Sequence, residues 1–385
     1  MVAALNPVSS QSAPPSPLED ARRIVVKIGS ALLVDQESGQ IRHDWLRALA
    51  DNVADLRARG KEVLIVSSGA IAVGRRHLGL TGATLKLEEK QAAAATGQIR
   101  LAHAYEEALA RHDITVAQIL LSPEDTERRR RHLNARATMT TLLSLGAVPV
   151  INENDTVATA EIRFGDNDRL SARVAEMTSA DCLVLLSDVD GLYSADPASN
   201  PYAELIPNVD RITDAVEAMA GQPTTGDGTG GMITKLMAAR VATSAGSSMV
   251  IAPGTLERPI QALERGGRCT WFAAQGNPRT ARKQWIAGTL QPAGSITVDD
   301  GAVKALMAGK SLLPAGVTAV DGTFERGDAV LVKDASGRVL GRGLAAYSST
   351  DAQPLIGHKS SEIEALLGYR GRDEMIHRDD LVLND

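Results

Sequence analysis

Aromatic residues are scarce, at 3% of the 385-residue chain. A core of useful size must therefore rest on Ala, Val, Leu and Ile. Two cysteines, Cys182 and Cys269, are too few for a disulfide framework, and Cys182 lies in the apolar run CLVLL, where it fits core packing. This usage points to a reducing, cytoplasmic setting. Basic residues are not in excess: 41 Lys and Arg stand against 47 Asp and Glu, a formal net charge of -6. That balance argues against general affinity for nucleic acid or anionic membrane, while small anionic substrates can still be handled by local charges. No apolar run reaches the roughly 20 residues needed to cross a bilayer. The opening stretch MVAALNPVSSQSAPPSPLED lacks a basic start and a long apolar segment, so residues 1–20 read as a disordered tail. The seven histidines are scattered, and none stands in a catalytic pattern.

What the chain does have is a rhythm. Short β-branched runs such as IVVKIG, EVLIVSSG, VPVIN, CLVLLSDV and SMVIAP alternate with amphipathic stretches such as WLRALADNVADLRARG and NDRLSARVAEMTSA. Continuous apolar strands joined by helices predict an α/β fold, a three-layer α/β/α sandwich with a mainly parallel sheet, over residues 21–276. Ligands in such folds collect at the carboxyl ends of strands. Residues 277–290 are basic and polar and read as a linker. The segment 291–375 consists of short strands between Gly and Asp turns, predicting a small, mostly β domain, with 376–385 as a C-terminal tail.

Five segments carry candidate chemistry. GTGGMITK (228–235) places glycines ahead of a helical run, but Gly231 is followed by Met232, so the Gly-Lys-Ser/Thr of a P-loop is absent. What remains is a glycine-rich backbone that an anion can approach and a helix start with unpaired N–H donors. Lys27 ends an apolar strand just before Gly29, and Ser67, Ser68 and Gly69 stand at the opening of a helix. VINENDTVATAEIRFGDNDRLSA crowds Asn152, Glu153, Asn154, Asp155, Asp166, Asn167 and Asp168 between a strand and a helix, a density that calls for cations among the carboxylates. Ser187 and Asp188 end another strand, with Asp190 and Asp196 close by. Two lysines, several glycine-rich approaches and a carboxylate cluster make an inventory for phosphoryl transfer, which needs positioning and charge neutralisation more than covalent chemistry. The run ERRRRHLNAR (127–136) reads as a solvated helix start.

The words VVKIGS, VSSGAIAVG, VPVINENDTVATAEIRFGDNDRLSA, LLSDVDGLYSADP and GTGGMITKL, in that order, resemble the glutamate 5-kinases of the amino acid kinase family, which carry a C-terminal PUA domain. The resemblance runs from about residue 22 to near the C-terminus, and its most specific part is the NEND to GDND block. It implies ATP-dependent phosphorylation of the side-chain carboxylate of L-glutamate, the step that starts proline synthesis, with ATP accompanied by Mg²⁺. Lys27 and Lys235 would act on the transferring phosphoryl group, and Asp168 would orient them. Ser68, Asp155 and Asn167 would bind glutamate. Lys27, Ser187, Asp188 and the stretch Thr229, Gly230, Gly231, Met232, Ile233, Thr234 and Lys235 would hold ATP; no residue is assigned as a direct metal ligand. The resemblance further implies a homo-oligomer, dimer or tetramer, and proline as feedback inhibitor. Ser187 stands where the family commonly has threonine, which preserves the hydroxyl. The alternatives are a sibling kinase acting on another carboxylate, or RNA binding through the PUA-like domain. The segment from 277 onward holds 13 Lys and Arg against 14 Asp and Glu, which does not suggest a phosphate-binding face.

Overall fold

The computed structural model describes residues 17–35, 37–80, 84–157, 167–221, 231–289 and 291–384. Its main sheet draws on β1 (Arg23–Ile28), β2 (Glu62–Val66), β3 (Val116–Leu121), β4 (Val148–Glu153) and β5 (Cys182–Ser187). A two-stranded pair, β6 (Leu192–Tyr193) and β7 (Leu205–Ile206), stands apart; β8 (Asn208–Val209), β9 (Ser248–Pro253) and β10 (Thr270–Phe272) complete the main sheet. Its order is β3-β4-β2-β1-β5-β9-β10-β8, and all neighbours run parallel except β9 and β10.

The alternation along each strand assigns its residues to two cores. Ile24, Val26 and Ile28 of β1 join Val184 and Leu186 of β5 on one face, covered by the helices His43–Ala58 and Leu87–Ala110. Val25 joins Leu183 and Leu185 on the other, beneath the helices Arg129–Ser144, Asn167–Thr178 and Met232–Ser244. Each such Val, Leu or Ile, fully buried, contributes about 1.5–3 kcal/mol. Period two puts Lys27 on the side of Val25 and Ser187 on the side of Leu185. The sheet therefore turns both toward the helices that carry Asp168 and Lys235.

The helix Ala70–His77 crosses Leu87–Ala110 at backbone contact. A Cβ on Gly74 would lie 1.7 Å from the Ala93 carbonyl oxygen, and one on Gly97 would lie 1.8 Å from that of Ala70. Both clashes are backbone on backbone and cannot be relieved by a rotamer change. We expect Gly97→Ala to lower stability by about 1–3 kcal/mol or more, measured by urea unfolding; unchanged stability would mean that the two helices do not meet there.

The second sheet, β11 (Gly294–Val298), β12 (Val317–Gly322), β13 (Ala329–Lys333), β14 (Val339–Leu344) and β15 (Leu381–Leu383), has the order β12-β11-β13-β14-β15. Three features of the chain ends and junctions differ from the sequence expectation. Pro17–Asp20 forms a helical turn whose Leu18 is fully buried, so the ordered fold begins before residue 21. Residues 376–384 are not a tail, because β15 pairs with β14 and Asp380 is buried. The segment read as a linker holds the helix Pro278–Thr289, whose Ile286 packs with Leu133, Ala329 and Leu344.

The basic run ERRRRHLNAR is likewise not simply solvated. Arg129 pairs with Asp328 at 3.7 Å, Leu133 joins the small apolar cluster, and Arg136 donates to Asp380 at 2.8 Å. Their spacing of four and three residues sets them on one helix face, and that face meets the C-terminal domain. Arg282 also donates to Asp380, at 3.0 Å through Nε. Burial by itself would raise the Asp380 carboxyl, but the Arg282 and Arg136 guanidinium groups outweigh it and hold the group below the ordinary carboxylate range.

Candidate active site

The strand order reverses direction around β1: the chain moves from β1 to β2 on one side and later places β5 on the other. That reversal opens a crevice beyond the carboxyl ends of the central strands. A cleft of about 1110 Å³ lies there, lined among others by Lys27, Gly29, Ser68, Gly69, Asp155, Asn167, Ser187, Asp188 and Lys235.

Behind the two lysines of this lining stands Asp168, fully buried at the start of the helix Asn167–Thr178. Lys27 Nζ, from β1, lies 2.5 Å from Asp168 Oδ1; Lys235 Nζ, from the first turn of Met232–Ser244, lies 3.0 Å from Oδ2. The lysines are only 7% and 5% exposed. Burial by itself would raise the Asp168 carboxyl, yet the two ammonium groups more than offset it and hold the group below the ordinary range. Thr234 Oγ1 reaches the same Oδ2 at 3.4 Å. Two cations around one anion leave a net positive charge in a largely water-excluded place, which suits an incoming phosphoryl group.

On the other side of the cleft, Ser68 and Gly69 follow β2. Gly69 has φ of +97°, and a Cβ there would press to 2.9 Å against Val34 Cγ2, so the turn into the helix Ala70–His77 needs glycine. Asn167 Nδ2 donates to the Ser67 carbonyl oxygen, to Ser68 Oγ at 3.0 Å and to Asn152 Oδ1 at 2.8 Å. Ser187 Oγ donates to Asp188 Oδ1 at 2.9 Å, buried beside exposed at the end of β5.

Of the residues singled out in the sequence, Lys27, Ser68, Asp155, Asn167, Asp168, Ser187, Asp188 and Lys235 meet at the cleft. Gly231 caps the helix Met232–Ser244, which Met232, Ile233 and Thr234 begin, and the space beside the Gly231 Cα is open. Thr229 and Gly230 lie outside the described residues, as does Asp166. The sequence reading did not find Gln98 or Tyr105. Gln98 Oε1 accepts from Asn152 Nδ2 at 2.7 Å, and Tyr105 donates to Ser67 Oγ at 3.0 Å. Both come from the helix Leu87–Ala110, and no local motif marks them.

Residues 22–253 match the model of the amino acid kinase family, and residues 294–367 that of the PUA domain. A glutamate 5-kinase of Paramagnetospirillum magneticum is 64% identical over 96% of this chain and 99% of its own length. One from Gluconobacter oxydans is 60% identical over 95% of this chain and 97% of its own, and one from Rhodospirillum rubrum is 61% identical over 94% and 96%. The buried Lys-Asp-Lys bridge thus sits in a chain that belongs to the amino acid kinase family, in the glutamate 5-kinase group that carries a C-terminal PUA domain.

Proposed function

We propose that this chain uses ATP to phosphorylate the side-chain carboxylate of L-glutamate, giving L-glutamyl 5-phosphate, the first step of proline biosynthesis. The observation that carries the reading is the pair of buried lysines on Asp168, facing the same cleft as Ser68 and Asn167. A carboxylate is ionised at neutral pH, so no general base is needed. One of its oxygens attacks the γ-phosphorus, a new P–O bond forms, the bond to the β–γ bridging oxygen breaks, and ADP leaves with the electron pair. Lys27 and Lys235 neutralise the charge on the transferring group, and Asp168 keeps both ammonium groups turned toward it. Ser68, Asn167 and Asp155 bind glutamate, with Asp155 partnering the α-ammonium. Ser187, Asp188 and the stretch from Thr229 to Lys235 hold the nucleotide.

Among the described residues no group of three or more His, Cys, Asp or Glu could cage a metal ion. Mg²⁺ would arrive on the ATP phosphates, which needs one or two protein carboxylates at most. When bound, it supplies further neutralisation of phosphate charge. No helix among the described residues is long and apolar enough to cross a membrane. On its cysteine usage, two cysteines without a disulfide framework, we place the enzyme in the cytoplasm. The catalytic domain spans 17–276 and the PUA-like domain 291–384, joined through the helix Pro278–Thr289; a dimer or tetramer inhibited by proline completes the proposal.

The test is turnover with ATP in hydroxylamine, which traps an acyl phosphate as a hydroxamate, run with glutamate, aspartate and N-acetylglutamate. Glutamate alone is expected to give substantial hydroxamate. Equal yields from all three, or none from glutamate, would overturn the assignment.

A further inference from the structure

We propose that Gln98, outside the cleft, is a positioning residue that fixes which end of the Asn167 amide meets the substrate. The inference rests on the glutamate kinase reading and deepens it. Two main-chain groups set the polarity of a chain of amides. The Ser67 carbonyl oxygen can only accept, so the Asn167 end facing it must be Nδ2. The Glu153 N–H can only donate, and it donates to Asn152 Oδ1 at 2.9 Å. Asn152 Oδ1 therefore also receives Asn167 Nδ2, and Asn152 Nδ2 must find an acceptor elsewhere. With Asn152 only 2% exposed, Gln98 Oε1 at 2.7 Å meets that need. The close crossing of helices at Gly97 carries the neighbouring Gln98 to this spot.

The consequence reaches the cleft. With Nδ2 committed inward, Asn167 presents its carbonyl Oδ1, an acceptor. Ser68 Oγ lies 3.0 Å from Asn167 Nδ2, an amide nitrogen that cannot accept, so at most it shares one of the two Nδ2 hydrogens and keeps its own proton to donate. An acceptor beside a hydroxyl donor matches an ammonium beside a carboxylate, the two charges of a free amino acid. An analogue without the ammonium leaves the acceptor unmet. Without Gln98, Asn152 Nδ2 is buried with no acceptor, and the amide chain loses its reason to hold one orientation.

The test compares Gln98→Met with Gln98→Glu, which keeps an acceptor at the same reach, using glutamate and glutarate, which lacks the α-ammonium. Gln98→Met is expected to raise the glutamate KM about tenfold, with kcat and the ATP KM changed by less than about twofold. The preference for glutamate over glutarate in kcat/KM should shrink alongside, and Gln98→Glu should restore both. An unchanged glutamate KM in Gln98→Met, a loss spread equally over both KM values and kcat, or a Gln98→Glu variant as impaired as Gln98→Met would overturn the assignment. A wild-type chain inactive on glutamate sinks the kinase reading and this inference together; an active one with unchanged preference in Gln98→Met sinks this inference alone.

Discussion

Replacing Lys235 with Ala is expected to lower kcat by about 10²–10³-fold while leaving the glutamate KM nearly unchanged. The residues proposed to bind glutamate, Ser68 and Asn167, are hydrogen-bonded to one another at 3.0 Å, whereas the Lys235 ammonium sits on Asp168 Oδ2. What the variant loses is charge on a group whose negative charge spreads as the γ-phosphoryl is transferred, and that contact matters most in the transition state. The fold should tolerate the change, since Asp168 retains Lys27 at 2.5 Å. Lys235→Arg is expected to restore little, because a planar guanidinium cannot occupy the place of a compact ammonium between Asp168 and the cleft. Full activity in Lys235→Ala, with the melting temperature preserved, would remove this lysine from the mechanism.

The second large effect concerns Asp168. Asp168→Asn takes away the anion that holds two buried cations together and turns one amide N–H toward an ammonium group. Removing one member of a buried charge cluster costs about 3–5 kcal/mol, and kcat should fall because neither lysine stays aimed. A bound nucleotide returns negative charge to the same place, so ATP should narrow the stability gap between variant and wild type. The pH dependence has a definite sign. The Asp168 carboxyl lies below its ordinary value of 3.8, so its stabilising contribution is fully present above that value and is lost as pH falls through the folded-state value. The stability difference between wild type and Asp168→Asn, measured by urea unfolding, should therefore be constant near neutrality and shrink in acid. A difference that grows on acidification would contradict the depressed pKa.

Much of this arrangement is legible in the sequence because it rests on strand ends. The period of two in RIVVKI settles which face Lys27 shares, and the polar groups after β2, β4 and β5 cannot lie far from one another once the sheet is parallel. The geometry around Asp168 is less local. That one carboxylate would take both lysines followed only from family likeness, since Lys235 is 67 residues away in the chain. The amide chain through Gln98 was invisible for a stronger reason. Gln98 reaches Asn152 across 54 residues only because Gly74 and Gly97 let two helices touch, and a glycine inside a helical pattern does not say what it approaches. Similarly, the basic run at 127–136 has the composition of a solvated helix, and its contacts depend on where a separate domain docks. The three residues of β15 are too few for any periodicity, so their pairing with β14 is a tertiary fact.

The most direct test of the account follows one oxygen atom. Glutamate labelled with oxygen-18 in its side-chain carboxylate is incubated with ATP and the enzyme in hydroxylamine, and the released phosphate is weighed by mass spectrometry. If a carboxylate oxygen attacks the γ-phosphorus, attack of hydroxylamine at the carbonyl carbon releases phosphate carrying one labelled oxygen, and Lys235→Ala slows its appearance without changing the label. Phosphate released at the same rate without the label would mean that water, not glutamate, receives the phosphoryl group.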